Sequence, residues 1–454
     1  MCMTALCAES ARATGPTLRD GSGLDVLSQE RLSGRLLTAS VGTEALPGPA
    51  NVRILLPSGY QRRPHRRYPV LYLIHGTSGG APDWTEVGDA AKTTAKRRLI
   101  VVMPDIGLDY DGGGWCTNWP DGPYAWETFH IDQLLPWVDH NLRTVRKRGR
   151  RAIAGLSQGG FCATSYAARH PDLFSATYSY SGVPDISSRP ETIVGSTAII
   201  NATEVGLNGV PPNSMFGDRV SNEVNWKAHD PATLVENLRA TRIYLYTGNG
   251  GPGPYDTVDP VNIPGYLSSS GIEWLVHQDT TYFHEQLDSI GLPHYFNDYG
   301  GGTHTWGYWA RDLRWSMPQL MSGFSNPPPR PRAITHMSAD DAYSVYGWRV
   351  RMHRTAREFS SLEKARCRSF TLAGSGSATV RTPPCLKPGK RYRVKLSGEQ
   401  TDGLIGAKAG RRGRLRIKVP LGPANPYQQY TAEAAAAGTD VFRTHVRIRR
   451  AGAQ

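Results

Sequence analysis

The chain has 454 residues, 39% of them apolar, which is enough for two or three domains with ordinary cores. No apolar run approaches the roughly 18 residues a helix needs to span a membrane. The net charge of +13 is uneven: residues 330–454 carry 25 Lys+Arg against 8 Asp+Glu, and residues 1–329 carry 27 against 31, so a basic partner surface belongs to the last quarter alone.

Residues 1–33 read as a polar lead-in. The first thirteen end in Ala11-Arg12-Ala13 after an apolar stretch too short for a signal-peptide core, so they read as the stub of an export signal or as a tail. Residues 34–325 then alternate apolar strands with helical patterns. Gly34–Val41 and Asn51–Pro57 predict an early antiparallel pair. Tyr68–Gly76 and Leu99–Pro104 are continuous apolar runs, as expected of strands buried on both faces of a parallel sheet. Ala90–Arg98 predicts a helix between them. Asp105–Tyr124 is a long Gly/Trp-rich loop, and Trp126–Leu142 carries helical spacing at Ile131, Leu134, Leu135 and Val138.

Arg151-Ala-Ile-Ala-Gly-Leu-Ser-Gln-Gly-Gly160 reads as strand, sharp turn and helix. That is the context in which G-x-S-x-G exposes a nucleophilic serine, here Ser157. A second match, Gly76-Thr-Ser-Gly-Gly80, leads into a loop without helical pattern, so Ser78 lacks that context. Further strands are predicted at Ala176–Gly182, Arg242–Gly248 and His294–Tyr299, with helices at Asp230–Leu238 and Ile272–Ser289. Residues 186–229 lack periodicity and read as an inserted cap or long loop. The whole predicts an α/β-hydrolase fold with a mostly parallel sheet.

Asn326-Pro-Pro-Pro-Arg-Pro-Arg332 reads as a semi-rigid linker. In residues 333–454 apolar residues alternate with Arg and Lys, as at Tyr392/Val394/Leu396 and Leu415/Ile417/Val419. Period two predicts a small all-β sandwich with basic residues outward. Of the six cysteines, Cys367 and Cys385 are placed to bridge adjacent strands. Cys116 falls in a loop, and Cys162, in the helix after Ser157, reads as a small buried apolar residue.

An exposed serine needs a base, an orienting acid and an oxyanion hole. In this topology the base follows the last strand, and His304 lies there in a Gly-rich loop; His277, His284 and His294 fall within elements. For the acid, the position after the strand 242–248 leans to Asp256 and Asp259, with Asp185 a remote third. The main-chain N–H groups of Gln158 and Thr77 are expected to form the oxyanion hole. No His/Cys/carboxylate cluster shows ligand spacing, so neither metal nor cofactor is expected.

Several segments over residues 68–310 carry a family resemblance: Trp126-Glu-Thr-Phe129, Gly155-Leu-Ser-Gln-Gly159, Trp226-Lys-Ala-His-Asp-Pro231, Thr241–Gly250, Asn262-Ile-Pro264, Gly302-Thr-His-Thr-Trp306 and Tyr308-Trp309. In order and spacing they resemble the secreted mycolyltransferases and esterase D-type serine esterases. The resemblance implies a serine acyl-enzyme mechanism with Ser157 as nucleophile and His304 as base. It also moves the acid to Glu273, ten residues before Phe283, where the family carries a glutamate. It departs at His75, where mycolyltransferases have an acidic residue used towards the sugar, so general ester hydrolysis is the expectation, with transfer to an alcohol or sugar acceptor beside it. A non-catalytic envelope- or polymer-binding protein is the alternative. The family points to an extracellular or cell-wall location. The basic segment predicts attachment to an anionic envelope polymer; nucleic acid is not expected, because no reader motif is present and aromatics are not interleaved with the basic residues.

Overall fold

A computed structural model describes residues 15–256, 263–438 and 441–451. Its centre is a nine-stranded sheet: β1 (Asp25–Arg31), β2 (Leu36–Gly42), β3 (Ala50–Leu55), β4 (Val70–Ile74), β5 (Ile100–Pro104), β6 (Arg151–Leu156), β7 (Ala176–Tyr180), β8 (Arg242–Thr247) and β9 (Tyr295–Asp298). Their spatial order is β1-β2-β3-β5-β4-β6-β7-β8-β9. The first three strands are antiparallel, and the run from β5 to β9 is parallel. Composition explains the difference. Every residue of β4 and β5 is buried, whereas β2 buries only alternate positions, Leu37, Ala39 and Val41. This is the doubly covered, mostly parallel sheet that the alternation of elements predicts.

The helices of this part are α1 (Asp83–Glu86), α2 (Ala90–Thr93), α3 (Leu135–Asn141), α4 (Gln158–Arg169), α5 (Pro190–Asn201), α6 (Glu223–His229), α7 (Ile263–Ser289) and α8 (Trp306–Ser325). Three expectations need correction. The lead-in contains a strand: β1 lies within residues 1–33 and pairs with β2. Residues 186–229 are not merely a loop, because α5, a wide turn over Ala202–Leu207 and α6 occupy most of them. Their apolar residues point several ways, Ile200 and Trp226 inward and Val194 outward, so no single period is visible. And Cys162 is not a free thiol: it is disulfide-bonded to Cys116, tying the long loop to α4.

After Asn326 the chain builds two antiparallel sheets. β10 (Ile334–Ser338), β13 (Ser360–Arg366), β14 (Ser369–Gly374), β16 (Arg391–Gly398), β17 (Thr401–Lys408) and β19 (Phe442–Arg450) form one, in the order β10-β13-β14-β19-β16-β17. The other is β11 (Ala342–Val345), β12 (Trp348–His353), β15 (Ser377–Arg381) and β18 (Arg416–Pro420). Trp348, Val350, Leu372, Val380, Val394 and Ile417 meet in a separate core. Cys367 and Cys385 are bonded. Arg349, Arg381 and Arg416 stand directly opposite one another on the outer face of the smaller sheet.

The β-rich segment is docked on the far end of α4. Arg169, the last residue of that helix, makes two bonds of 2.9 Å to Glu127 and reaches Asp340 at 3.1 Å. Asn237 exchanges two bonds of 2.9 Å with the Met337 backbone. The Tyr346 N–H donates to Asp172 at 2.8 Å. Ala339 and Phe359 join the apolar core of the hydrolase part. The Arg169–Asp340 pair crosses this joint with its guanidinium buried, so losing the Asp340 charge leaves a buried cation with one partner fewer.

Candidate active site

β6 runs into α4 through Ser157, whose φ of 51° and ψ of −125° no ordinary residue adopts without strain. The turn is possible because a Cβ on Gly155 would overlap the Gly159 carbonyl, and one on Gly159 would overlap the His75 carbonyl. The Ser157 N–H donates to the Tyr180 carbonyl at 3.0 Å, anchoring the turn to β7. Gln158 is the first residue of α4, so its N–H has no intrahelical partner and lies at the positive end of the helix dipole. The loop after β4 presses on the same place. A Cβ on Gly76 would sit 3.2 Å from the Ser157 Cβ. Thr77 follows, with its Oγ1 3.4 Å from Gln158 Nε2. Ser78, the rival pattern match, also has a positive φ but leads into a turn, not a long helix.

His304 lies between β9 and α8, and its Nδ1–H donates to Glu273 Oε2 at 2.7 Å. That leaves the Nε2 lone pair, which is buried and has no hydrogen-bond partner among the described residues. The ring packs edge-on against Trp309, at 4.9 Å between centroids. Glu273 comes from α7 and is fully buried. Its other oxygen accepts the Ser181 hydroxyl and the Gly248 N–H, each at 2.8 Å. Ser181, just past β7 with a φ of 47°, was invisible to sequence reasoning; its signal is a small residue at the end of the strand beside the elbow strand.

The aspartates go elsewhere. Asp256 accepts the Thr303 hydroxyl at 2.5 Å, the Tyr308 hydroxyl at 2.8 Å and the Gly253 N–H at 2.7 Å. It holds the loop that carries His304 and does not touch the ring. Asp259 lies outside the described residues. Asp185 is buried and caps the Ser187 and Ser188 amides instead. It also faces Asp230, whose carboxyl burial first, and then the Asp185 charge, push up to about 7.

His75 is a structural residue here. Its Nδ1–H donates to the Gly76 carbonyl at 2.7 Å and its Nε2 accepts the Ile106 N–H at 3.0 Å. Burial lowers its pKa, so the ring is neutral and both nitrogens are spent. It pins the loops after β4 and β5 together and offers nothing to a substrate.

Among the described residues one group of possible donors, His284, Asp288 and His294, comes together in space. It lies eleven residues along α7 from Glu273, about 16 Å at 1.5 Å per residue.

The family model described as "Putative esterase" matches residues 43–320. Esterase Rv1288 of Mycobacterium tuberculosis is 34% identical over 292 residues, covering 62% of this chain and 59% of that protein. The chain thus spans little more than half the length of that relative. The Diacylglycerol acyltransferase/mycolyltransferase Ag85A of Mycobacterium leprae is 30% identical over 261 residues, 56% of this chain and 74% of that protein. Among solved structures, Mycobacterium tuberculosis MPT51 (FbpC1) superposes with a TM-score of 0.51 and 25% identity, covering 65% of this chain and 99% of that one.

Proposed function

The chain belongs to the esterase family whose model matches residues 43–320, and on that premise we propose that it is a serine esterase in which Ser157, His304 and Glu273 act as nucleophile, base and orienting acid. The observation that carries this reading is the 2.7 Å bond from His304 Nδ1–H to Glu273, on a ring whose Nε2 is buried and otherwise unused. In the first half-reaction the Ser157 hydroxyl attacks an ester carbonyl as Nε2 takes its proton. The bond to Glu273 stabilises the imidazolium that results. The N–H groups of Gln158 and Thr77 receive the developing oxyanion. The leaving alcohol departs with the proton from Nε2, and an acyl group remains on Ser157. Water then releases an acid, or an alcohol or sugar takes the acyl group. Transfer is included because relatives are named acyltransferases. His75, with both nitrogens spent, supports no sugar contact at its position.

Turnover of p-nitrophenyl esters by the wild type and by Ser157→Ala tests the assignment. No nitrophenol from either, together with no labelling of Ser157 by a serine-directed phosphonate, would sink it.

An ester is the substrate class that fits the family. The partner reading goes further: the β-rich segment attaches the enzyme to an anionic envelope polymer. Its support is the row Arg349, Arg381 and Arg416. Like charges directly opposite in a sheet repel, and these three make no ion pair among the described residues. Arg351, Lys408, Arg411, Arg412 and Arg414 line the same groove. An extracellular location is supported by two disulfides, which persist in oxidising compartments. Among the described residues no helix is long and apolar enough to cross a membrane.

A further inference from the structure

We propose that His284, Asp288 and His294 form a site for a divalent transition-metal ion, with zinc the best match to two imidazoles and one carboxylate. The site has no part in the esterase chemistry above and stands independently of it.

The fold assembles it at the end of α7. His284 and Asp288 are four residues apart and share one helix face. The helix then stops. Gly291, with a φ of 62°, reverses the chain, and the Leu292 N–H donates back to the Leu287 carbonyl at 2.8 Å. That reversal brings His294 over the last turn. One nitrogen or oxygen from each of the three residues lies within 4.8 Å of the others.

Both rings are held. His294 Nδ1–H donates to the Leu292 carbonyl at 2.8 Å, which fixes its tautomer and leaves the Nε2 lone pair aimed at His284. A backbone carbonyl behind a ligand histidine is the usual outer partner at metal sites. The His284 ring stacks on Phe296 at 4.2 Å between centroids. His284 Nδ1–H currently donates to His294 Nε2 at 2.7 Å, while its Nε2 is 3.6 Å from Asp288 Oδ2. When metal enters, His284 moves its one ring proton from Nδ1 to Nε2, so both imidazoles stay neutral and no proton is released. Two nitrogens bound tetrahedrally at about 2.0–2.1 Å are roughly 3.3 Å apart, so the rings must separate by about half an ångström.

The electrostatics favour a cation. Asp288 supplies a full negative charge, and no Lys or Arg pairs with it among the described residues. The site sits on the negative end of a 27-residue helix, where cations are stabilised. Access is open, because the Asp288 side chain is 65% exposed. Three protein donors leave a fourth position for water.

Calorimetric titration of the full, chelator-stripped chain with zinc alone, at pH 7.5, tests the site. Cys2 and Cys7 also offer donors, so the comparison of variants decides and not the wild-type stoichiometry. The expected result is one equivalent of zinc more in the wild type than in His294→Gln, and at least a tenfold weaker site in Asp288→Asn, an exposed position whose change leaves the fold intact. Zinc should raise the melting temperature of the wild type more than that of either variant. Equal stoichiometry and affinity in the wild type and Asp288→Asn, or no zinc uptake at all, would overturn the proposal.

Discussion

Glu273 holds His304 with one carboxylate oxygen and is itself held by Ser181 and Gly248 with the other. An acid committed on both sides cannot swing away as the ring charges. Glu273→Gln keeps the shape but removes the charge opposite the imidazolium, and its amide can offer N–H to Nδ1, inverting the tautomer. A loss of about 10²–10⁴ in kcat with little change in KM is expected from ester turnover. A loss below tenfold would argue against Glu273 as the orienting acid.

Asp256 provides the matched comparison. It fastens Thr303, next to His304, and Tyr308, but not the ring. Asp256→Asn retains acceptor capacity on one oxygen, so about 1–2 kcal/mol of loop ordering is lost, and kcat should fall by tenfold or less. If Asp256→Asn matched Glu273→Gln, the roles assigned to the two acids would be wrong.

The Cys116–Cys162 bridge closes a loop of 46 residues. Loop-closure entropy puts its stabilisation at about 4 kcal/mol. The paired change Cys116→Ser with Cys162→Ser should lower the melting temperature by roughly 5–15 °C. Because Cys162 is fully buried, reductant should act on the native protein only slowly. A melting curve indifferent to the double change would mean that the loop is held by other contacts.

Acid should loosen the joint between the two parts. Burial, the largest single effect, would raise the carboxyls of Glu127 and Asp340, but the Arg169 charge, joined by His170 at Glu127 and by His229 and Arg357 at Asp340, holds both below their ordinary values. A folded-state value below the unfolded one means stability that is complete above about pH 4.5 and lost as pH falls further. Thermal melts from pH 7 down to pH 3.5 should show this loss, and Arg169→Met should blunt it while costing about 3–5 kcal/mol at neutral pH. An identical pH slope in the variant would remove Arg169 as the cause.

The arginine row should govern retention. Replacing Arg349, Arg381 and Arg416 together by Gln leaves the inner face, Trp348, Val380 and Ile417, untouched. Elution from an anionic glycan matrix should shift to lower salt, with unchanged melting as the control. Retention equal to that of the wild type would end the polymer reading.

How much of this was legible varies with the physics of each segment. The elbow could be read because Gly155 is required by overlap with Gly159 four residues on, and an overlap that local is written in local sequence. β4 and β5 could be read because burial on both faces leaves unbroken apolar runs. Glu273 could not be reached by spacing: it comes from the middle of a long helix, and only family resemblance pointed to it. The Cys116–Cys162 pair depends on a loop folding back on α4, which no periodicity encodes. The His284–Asp288–His294 group was missed because the Gly291 reversal, not sequence distance, brings His294 to the helix. β1 was missed because its outward face is polar and it lies at the sheet edge.

α4 begins just after Ser157 and ends at Arg169, where the β-rich segment is fastened. Twelve residues make a strut of about 18 Å. An enzyme anchored through the β-rich segment would therefore hold its nucleophile at a set height and tilt above the anchoring surface, as a tool on a bracket and not on a leash. Esters presented at that height would be worked repeatedly, and those free in solution would meet the serine only by diffusing into the same narrow layer.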